Sequence, residues 1–349
     1  MNKIAFVFPG QGSQYVGMGI DLFDKSSYFK DIFDDFTNKT EHDLLDIMKN
    51  GPEELLKETK YTQPAILAHS IMALKLFQEK TMLKPDFVAG HSLGEFSALV
   101  ANGVLSFSDA LFIVHKRGEF MIKANDGTPF AMAAVMGLDA DTVKNICEEA
   151  SLKSLVVAAN FNTPIQTVIS GTKEGVELAG SIAKEKGAKR VMPLIVGGPF
   201  HSPLINKAAD WLKAEMEKIK FSDAEIPVIS NVDASPETNS SKILENLTKQ
   251  VTSSVLWVDT IKYLYNAGVD TFIEFGPQKV LSGMINKIID TTPPSPPQRG
   301  GEGVVSPQRG GEMPLISEGG RGELFRKITI LNIDKFEDIE KVQIHLETL

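Results

Sequence analysis

Hydrophobic and polar positions follow two kinds of pattern along this chain, one typical of strands and one typical of helices. Short runs of apolar residues, rich in Val, Ile and Phe, predict strands, whereas longer segments with apolar residues three and four apart predict helices. The two kinds of segment alternate, which favours an α/β fold with a mainly parallel sheet. The clearest strands are predicted at 3–8, 86–91, 226–231 and 270–275, and the clearest helices at 63–80 and 108–124.

The middle of the chain has a different order of predicted strands and helices. Six segments follow in the order strand, helix, strand, strand, helix, strand, which is the split ferredoxin-like unit. We therefore predict a core domain formed by 1–127 and 198–349, with an inserted ferredoxin-like subdomain at 128–197. The subdomain strands are predicted at 130–138, 154–161, 166–171 and 190–196, and its helices at 139–151 and 172–187.

The stretch 291–323 interrupts this organisation. It holds six prolines and eight glycines and repeats itself, as SPPQRGGE at 295–302 and SPQRGGE at 306–312. Such a composition cannot bury a core, so we predict a disordered surface insertion whose deletion leaves activity largely intact. Regular patterning returns with a predicted strand at 327–333 and a predicted helix at 334–347.

The overall charge and composition exclude several classes of protein. A formal net charge of -9 disfavours a general nucleic-acid binder, although the segment KEKGAKR at 184–190 is a local basic patch. No apolar run approaches the roughly 20 residues that a membrane helix needs, and the N-terminal run is too short for a signal peptide. The single cysteine, Cys147, excludes an intrachain disulfide. We expect a cytoplasmic monomer with no membrane or nucleic-acid partner and no metal or redox cofactor.

A candidate nucleophile lies in the sequence GHSLGE at 90–95. Gly90, Ser92 and Gly94 fit the pattern G-x-S-x-G, a predicted strand precedes them, and an amphipathic helix follows. Glycines allow the strained turn between the two elements. Ser92 would then lie at a helix N-terminus, where the helix dipole stabilises a developing oxyanion. We therefore predict that Ser92 performs covalent chemistry.

A serine hydroxyl needs a base to become a nucleophile, and the chain has six histidines. His91 adjoins the serine, and the turn should direct its side chain away. His201 lies in a Gly/Pro-rich loop, GGPFHSPL, at the junction of the two domains, where a site is expected. We predict His201 as the base. The other four lie in helical segments where solvated or structural side chains are expected: His42, His69, His115 and His345.

A second glycine-rich turn, FPGQGSQ at 8–14, follows the first predicted strand. It is similar to a dinucleotide-binding loop, but Tyr15 stands where G-x-G-x-x-G requires glycine, and no acidic strand end follows at the right distance. The backbone N–H of Gln11 in this turn is instead a candidate oxyanion donor. A plain tight turn is the alternative.

These motifs come in the order found in malonyl-CoA:acyl-carrier-protein transacylases. The chain resembles that family from residue 3 to about 290 and again from 327. The resemblance implies an α/β-hydrolase-like core carrying a ferredoxin-like subdomain. It is carried by FPGQGSQ, TQPA (62–65), GHSLGE, RGEFM (117–121), NFNTPIQTVISG (160–171), PFHSPL and FIEFGPQKVLSGM (272–284).

The resemblance implies a Ser–His dyad in which Ser92 accepts the acyl group and His201 is the base. The implied oxyanion hole is formed by the backbone N–H groups of Gln11 and Leu93. A main-chain carbonyl, that of Gln250, is the implied partner of the histidine. This agrees with the lack of an obvious Asp partner late in the chain.

Four further residues receive implied roles in substrate binding. Arg117, which its own pattern would place on a helix surface, matches the arginine that holds the free malonyl carboxylate, and a guanidinium can do so through two charge-assisted hydrogen bonds. Phe200, directly before the histidine, accompanies selection of malonyl over methylmalonyl. Asn160 and Asn162 are implied near the thioester arm, with a structural role in turns as the alternative.

The resulting hypothesis is ping-pong transfer of malonyl from malonyl-CoA to the phosphopantetheine thiol of acyl carrier protein, for fatty-acid elongation. Because such carriers are acidic, we expect a positive rim formed by KEKGAKR together with Lys116 and Arg117. A serine hydrolase or thioesterase, a polyketide-type acyltransferase and a non-catalytic carrier-binding scaffold are the alternatives. Arg117 and the missing acid argue against hydrolysis, because neither a carboxylate-binding arginine nor the absence of an acidic partner for the histidine benefits a hydrolase.

Overall fold

Two β-sheets organise the part of the chain that the computed structural model describes, residues 3–292 and 327–348. The strands are β1 Lys3–Phe8, β2 Phe87–Gly90, β3 Phe130–Met136, β4 Val156–Thr163, β5 Gln166–Thr172, β6 Arg190–Pro193, β7 Val228–Ile229, β8 Pro236–Glu237, β9 Val269–Phe275 and β10 Thr329–Ile333. The helices are α1 Ile20–Phe23, α2 Ser27–Thr40, α3 Leu44–Asn50, α4 Glu53–Leu56, α5 Thr59–Thr81, α6 Gly94–Ala101, α7 Phe107–Lys123, α8 Ala140–Ser151, α9 Lys173–Glu185, α10 Asn206–Met216, α11 Ser240–Gln250, α12 Trp257–Asn266, α13 Val280–Ile289 and α14 Phe336–Glu347.

The first sheet has the strand order β10-β9-β1-β2-β7-β8 and is parallel apart from the pairing of β7 with β8. The predicted α/β class with a parallel sheet is confirmed. β1 and β2 are neighbours and end together, with Phe8 opposite Gly90. The turns that follow these two strands therefore lie side by side at one edge of the sheet, and they hold Gln11 and Ser92.

One strand of this sheet is shorter than the sequence pattern indicates. β7 contains two residues in place of the predicted strand 226–231. Pro227 comes directly before it and has no N–H to give to a strand ladder, although its carbonyl accepts a hydrogen bond from the Val88 N–H at 3.0 Å. The proline therefore limits regular pairing to the residues after it.

The second sheet is antiparallel, with the order β4-β5-β3-β6, and α8 and α9 pack against it. This is the predicted ferredoxin-like arrangement, while the boundaries at 128 and 197 stay a prediction. β6 ends at Pro193, three residues before the predicted end, because the chain leaves the sheet edge after one more bond, from the Leu194 N–H to the Met132 carbonyl at 2.9 Å. Leu194 and Val196 then line the pocket that holds Ser92.

Helix α5 begins four residues before its predicted start, so Pro64 lies inside it. Proline has no N–H for the carbonyl four residues earlier, that of Lys60. His115 of α7 satisfies this carbonyl, since its Nδ1 donates to it at 2.9 Å. The structural role expected for His115 is thus tied to Pro64, and the bond fixes α7, which carries Arg117, against α5.

The C-terminal segment returns to the first sheet as the predicted strand and helix. β10 pairs with β9, and α14 packs against α5. Asp334, between β10 and α14, accepts hydrogen bonds from Tyr15 Oη at 2.9 Å and from His69 Nε2 at 3.1 Å, which gives His69 a structural role. The predicted insertion at 291–323 lies outside the described residues except for its first two. No helix in the described ranges is long and apolar enough to cross a membrane.

Candidate active site

Ser92 lies in a sharp turn between β2 and α6, with a left-handed backbone (φ 51°). The two glycines of the motif are required by close contacts. A Cβ on Gly90 would lie 1.9 Å from the carbonyl of Gly94, and a Cβ on Gly94 would lie 2.0 Å from the carbonyl oxygen of Phe8. Since no side chain fits either gap, the strand and the helix can meet this closely only with glycine at both positions.

Asn231, after β7, holds this turn in place. Its Nδ2 donates to the Gly90 carbonyl at 2.7 Å, and its Oδ1 accepts from the Ser92 N–H at 2.7 Å. The Ser92 N–H is therefore occupied. The N–H groups of Gln11 and Leu93 donate to no other residue in the described ranges, so both can donate to a ligand oxygen.

The serine hydroxyl and the His201 ring are in direct contact. Ser92 Oγ donates to His201 Nε2 at 2.8 Å, and His201 Nδ1 donates to the carbonyls of Gln250 at 2.9 Å and Ser253 at 3.1 Å. Two carbonyl acceptors require the ring proton on Nδ1, which leaves the Nε2 lone pair facing the serine. Burial, reinforced by the positive charge of Arg117, lowers the pKa of His201 to about 3, so the ring is neutral and able to accept a proton.

Arg117 lies on α7 but is buried, with 1% of its surface exposed. Its Nη1 donates to Gln63 Oε1 at 2.8 Å, and its Nη2 donates to Gln250 Oε1 at 2.9 Å and to Ser92 Oγ at 3.1 Å. Its Nε finds no hydrogen-bond partner among the described residues. Burial lowers its pKa to about 10, so it remains a cation at neutral pH. All its hydrogen-bond partners are neutral, so no carboxylate bonds to the guanidinium directly and an incoming carboxylate can do so.

The burial of Arg117 overturns two expectations. Its sequence pattern placed it on a helix surface, and the predicted positive rim included it. A buried side chain that contacts Ser92 lies neither on a helix surface nor on an exposed positive rim. The predicted rim is wrong on this point, because α7 turns this position toward α5 and α6 instead of toward solvent.

Most of the predicted site residues meet in one pocket of about 190 Å³. This is smaller than the roughly 300–1,000 Å³ of sites for drug-sized ligands, so it suits a short acyl group. Gln250 lies behind it, fully buried against Arg117 and His201. The predicted residues that line the pocket are Gln11, Ser92, Leu93, Arg117, Asn160, Asn162, Phe200 and His201.

His91 also lines this pocket, which the sequence did not lead us to expect. Its side chain is not directed away from the site. Its Nε2 donates to Asn162 Oδ1 at 2.8 Å, and burial lowers its pKa, so it stays neutral. The base position is still that of His201, since His201 is the ring bonded to Ser92 Oγ.

Comparison with known proteins decides the family. The sequence model of a protein family, described as the acyl transferase domain, matches residues 5–298 of this chain. The chain belongs to the acyl transferase family.

Relatives of this acyltransferase agree in sequence and in structure. Over 289 residues it is 48% identical to the malonyl CoA-acyl carrier protein transacylase of Bacillus subtilis, a match that covers 82% of this chain and 91% of that one. The solved structure of the malonyl CoA-acyl carrier protein transacylase of Coxiella burnetii has 34% identity and a TM-score of 0.84, over 99% of this chain and 98% of that one. A malonyl-transacylase solved in complex with its type II PKS acyl-carrier protein has 33% identity and a TM-score of 0.84, over 99% and 100%. The family resemblance stated from the motifs is confirmed.

Three residues of the acyltransferase site were not singled out from the sequence. Gln63 holds Arg117, Asn231 holds the Ser92 turn, and Glu95 accepts a hydrogen bond from the Gln250 side chain at 2.6 Å. Signals for two of them were present, since Gln63 lies in the quoted motif TQPA and Glu95 closes GHSLGE. Asn231 ends a predicted strand at the edge where parallel strands place functional side chains. Only the fold shows that these polar residues converge.

Proposed function

We propose that this acyltransferase moves a malonyl group from malonyl-CoA to the phosphopantetheine thiol of an acyl carrier protein, through an ester on Ser92. The observation that carries the proposal is the buried guanidinium of Arg117, 3.1 Å from the Ser92 hydroxyl and without a carboxylate among its hydrogen-bond partners. An acyl group that ends in a carboxylate gives this cation its partner at the reacting atom. The names of the relatives support the same substrate and carrier.

The first half of the reaction loads the serine. Ser92 Oγ attacks the thioester carbonyl while His201 Nε2 takes its proton, and the N–H groups of Gln11 and Leu93 receive the oxyanion. The carbon–sulfur bond then breaks, and His201 returns the proton to the CoA sulfur. Arg117 holds the malonyl carboxylate throughout, which fixes the carbonyl above the nucleophile.

The second half reverses these roles with a different thiol. The phosphopantetheine thiol gives its proton to His201 Nε2 and attacks the ester carbonyl, and the Ser92 oxygen leaves with that proton. We assign the entry of both pantetheine arms to the side lined by Asn160 and Asn162. Phe200, 7% exposed and in the pocket wall, limits branching next to the carbonyl and favours malonyl over methylmalonyl.

For the carrier protein we propose a docking surface along β6 and the loop after it. Lys189 and Arg190 are exposed at one end, and the Leu194 and Ile195 side chains are exposed at the other, Ile195 fully so. Leu194 lines the pocket as well, so the surface leads from the basic end to the mouth of the site. An acidic carrier would meet the basic end and deliver its arm past the apolar end. We propose the cytoplasm as the location and fatty-acid elongation as the use of the product.

Mass spectrometry of the intact protein tests the proposal. After mixing with malonyl-CoA we expect a malonyl adduct on the peptide that contains Ser92, discharged when carrier protein with a free phosphopantetheine thiol is added. Ser92→Ala is the control and should carry no adduct. Release of free malonate without transfer would favour the hydrolase alternative instead.

A further inference from the structure

Among the described residues, one buried carboxyl group that adjoins the site has no role in the mechanism. Glu95, in the first turn of α6, is 2% exposed. Its Oε2 accepts hydrogen bonds from Gln250 Nε2 at 2.6 Å and from the Asn231 N–H at 3.2 Å. Burying a carboxylate costs free energy unless a positive charge is close, so Glu95 needs a cationic partner.

That partner is Arg117, reached through a single amide. Gln250 gives its Nε2 hydrogens to Glu95 and to the Ser92 carbonyl at 2.9 Å, and its Oε1 accepts from Arg117 Nη2 at 2.9 Å. The opposite orientation of the amide would set its oxygen against two acceptors and its NH₂ group against a guanidinium donor. Glu95 therefore fixes the Gln250 amide in the orientation that holds Arg117.

A bound malonyl group would add negative charge around Glu95. Arg117 contributes one positive charge, and Glu95 neutralises it, while Asp233 acts on Glu95 as a further negative charge. His201 and His91 are neutral, because their pKa values are lowered by burial. A malonyl carboxylate beside Arg117 would bring a second negative charge into a space where one cation is already balanced.

We propose that Glu95 is the resident counter-ion of Arg117 and takes up one proton from solvent when a malonyl carboxylate binds. The positive charge of Arg117 is then neutralised by Glu95 in the empty site and by the malonyl carboxylate in the loaded site. This inference rests on the proposed malonyl substrate. The proton is added to the Glu95 carboxylate, and no other bond changes. The protonated group keeps a carbonyl oxygen for the Gln250 and Asn231 donors, so the amide need not reorient.

The pH at which this matters follows from the environment of Glu95. Burial raises its pKa to about 7, against the opposing effects of its hydrogen bonds and of Arg117. Below that pH the group is already protonated and malonyl binding needs no proton. Above it, binding must take up a proton, so affinity for malonyl falls by up to about tenfold per pH unit.

The test is calorimetric titration of Ser92→Ala, which cannot form the ester, and of the double variant Ser92→Ala/Glu95→Gln. Glutamine matches glutamate in shape, and its amide oxygen can accept the bonds from Gln250 and Asn231. Malonyl-CoA and acetyl-CoA are titrated from about pH 6 to about pH 9, and the ratio of their affinities cancels the titration of the CoA phosphates.

We expect the malonyl-to-acetyl affinity ratio of Ser92→Ala to be flat below about pH 7 and to fall by up to tenfold per unit above it. In the double variant the ratio should stay flat and should be the higher of the two at the alkaline end. Well above about pH 7, in two buffers of different ionisation enthalpy, Ser92→Ala should take up close to one proton per malonyl-CoA and none per acetyl-CoA.

The possible failures are distinguishable. If malonyl-CoA had no preference over acetyl-CoA at any pH, both the proposed substrate and the role of Glu95 would be wrong. If malonyl-CoA were preferred with the same pH slope in both variants, Glu95 alone would be wrong. Should the double variant not fold, absence of excess proton uptake in Ser92→Ala would by itself overturn the inference.

Discussion

The pocket has two sides that are built differently. On the reacting side, His201 is held by the main-chain carbonyls of Gln250 and Ser253. On the anchoring side, Arg117 is held by side-chain amides, those of Gln63 and Gln250. A carbonyl is present whatever the side chain, so the reacting side depends on backbone position, whereas the anchoring side depends on residue identity.

The two sides meet at Gln250, whose carbonyl serves one and whose amide serves the other. The residue that orients the base therefore also orients the cation that holds the acyl group. A change in its side chain should weaken anchoring and leave the His201 tautomer in place. The two sides can thus be altered separately, and the predictions below do so in order of decreasing effect.

The largest effect is expected on the reacting side. His201→Ala removes the proton acceptor for Ser92 Oγ, so malonyl transfer should fall by roughly 10³- to 10⁶-fold in kcat. Binding of malonyl-CoA should change little, because Arg117 and its two glutamines are untouched. Stopped-flow measurement of CoA release gives the rate, and calorimetry gives the affinity. Equal losses in rate and in affinity would mean that the reacting side and the anchoring side of the pocket cannot be altered separately.

The anchoring side should show the reverse pattern. Arg117→Ala removes the cation but leaves the Ser92–His201 bond, so kcat/KM for malonyl-CoA should fall by roughly 10²- to 10³-fold, as for loss of one partner of a buried charged pair. Acetyl transfer should gain relative to malonyl transfer. Lys116→Ala, at the neighbouring position, is the matched control and should leave the ratio of the two substrates unchanged. A strong malonyl preference in Arg117→Ala would refute the anchoring role.

The difference between the two sides also explains what could be predicted from the sequence. Ser92 and its glycines form a local pattern, because the turn, the strand before it and the helix after it are contiguous. The short apolar runs predicted the strands of both sheets for the same reason, except the two-residue β8, which has no such run. Where a proline removed a donor, as at Pro227, the predicted strand was too long.

The anchoring network could not be predicted in the same way. Gln250 Nε2 and Glu95 Oε2 belong to residues 155 positions apart, and Gln250 and Arg117 are 133 apart. Polar residues on a helix usually face solvent, so nothing local marks Arg117 or Gln250 as buried. The family resemblance supplied a role for Arg117 and for the Gln250 carbonyl, but the Gln250 side chain, Gln63 and Glu95 became visible only when α5, α6, α7 and α11 were brought together.

A smaller effect should reveal how the two sides are coupled. Since the positive charge of Arg117 contributes to the lowered pKa of His201, the base should stay neutral well below the usual histidine range, and kcat/KM should remain flat through pH 6. Arg117→Gln removes that charge, so the His201 pKa should rise and the acid limb should move up in pH. The substrate is the acetyl thioester of N-acetylcysteamine, which carries neither a carboxylate for Arg117 nor a titrating phosphate. An acid limb at the same pH in both proteins would show that Arg117 does not influence the base.

The smallest effect concerns neither side of the pocket but the surface that leads to it. Lys189→Glu and Arg190→Glu reverse exposed charges at the start of β6 and directly before it, so each should raise the KM for carrier protein by about fivefold at low salt, the size expected for one solvent-exposed charge pair. The effect should shrink as salt screens the surface. The KM for malonyl-CoA should change less, because both residues lie outside the pocket lining. Lys341→Glu, which reverses an exposed charge on α14, is the control, since α14 packs against α5 and β10. Equal changes for both substrates, or for the control, would move the carrier surface away from β6, whereas a change confined to the carrier would show that carrier recognition is a third function, separable from both reaction and anchoring.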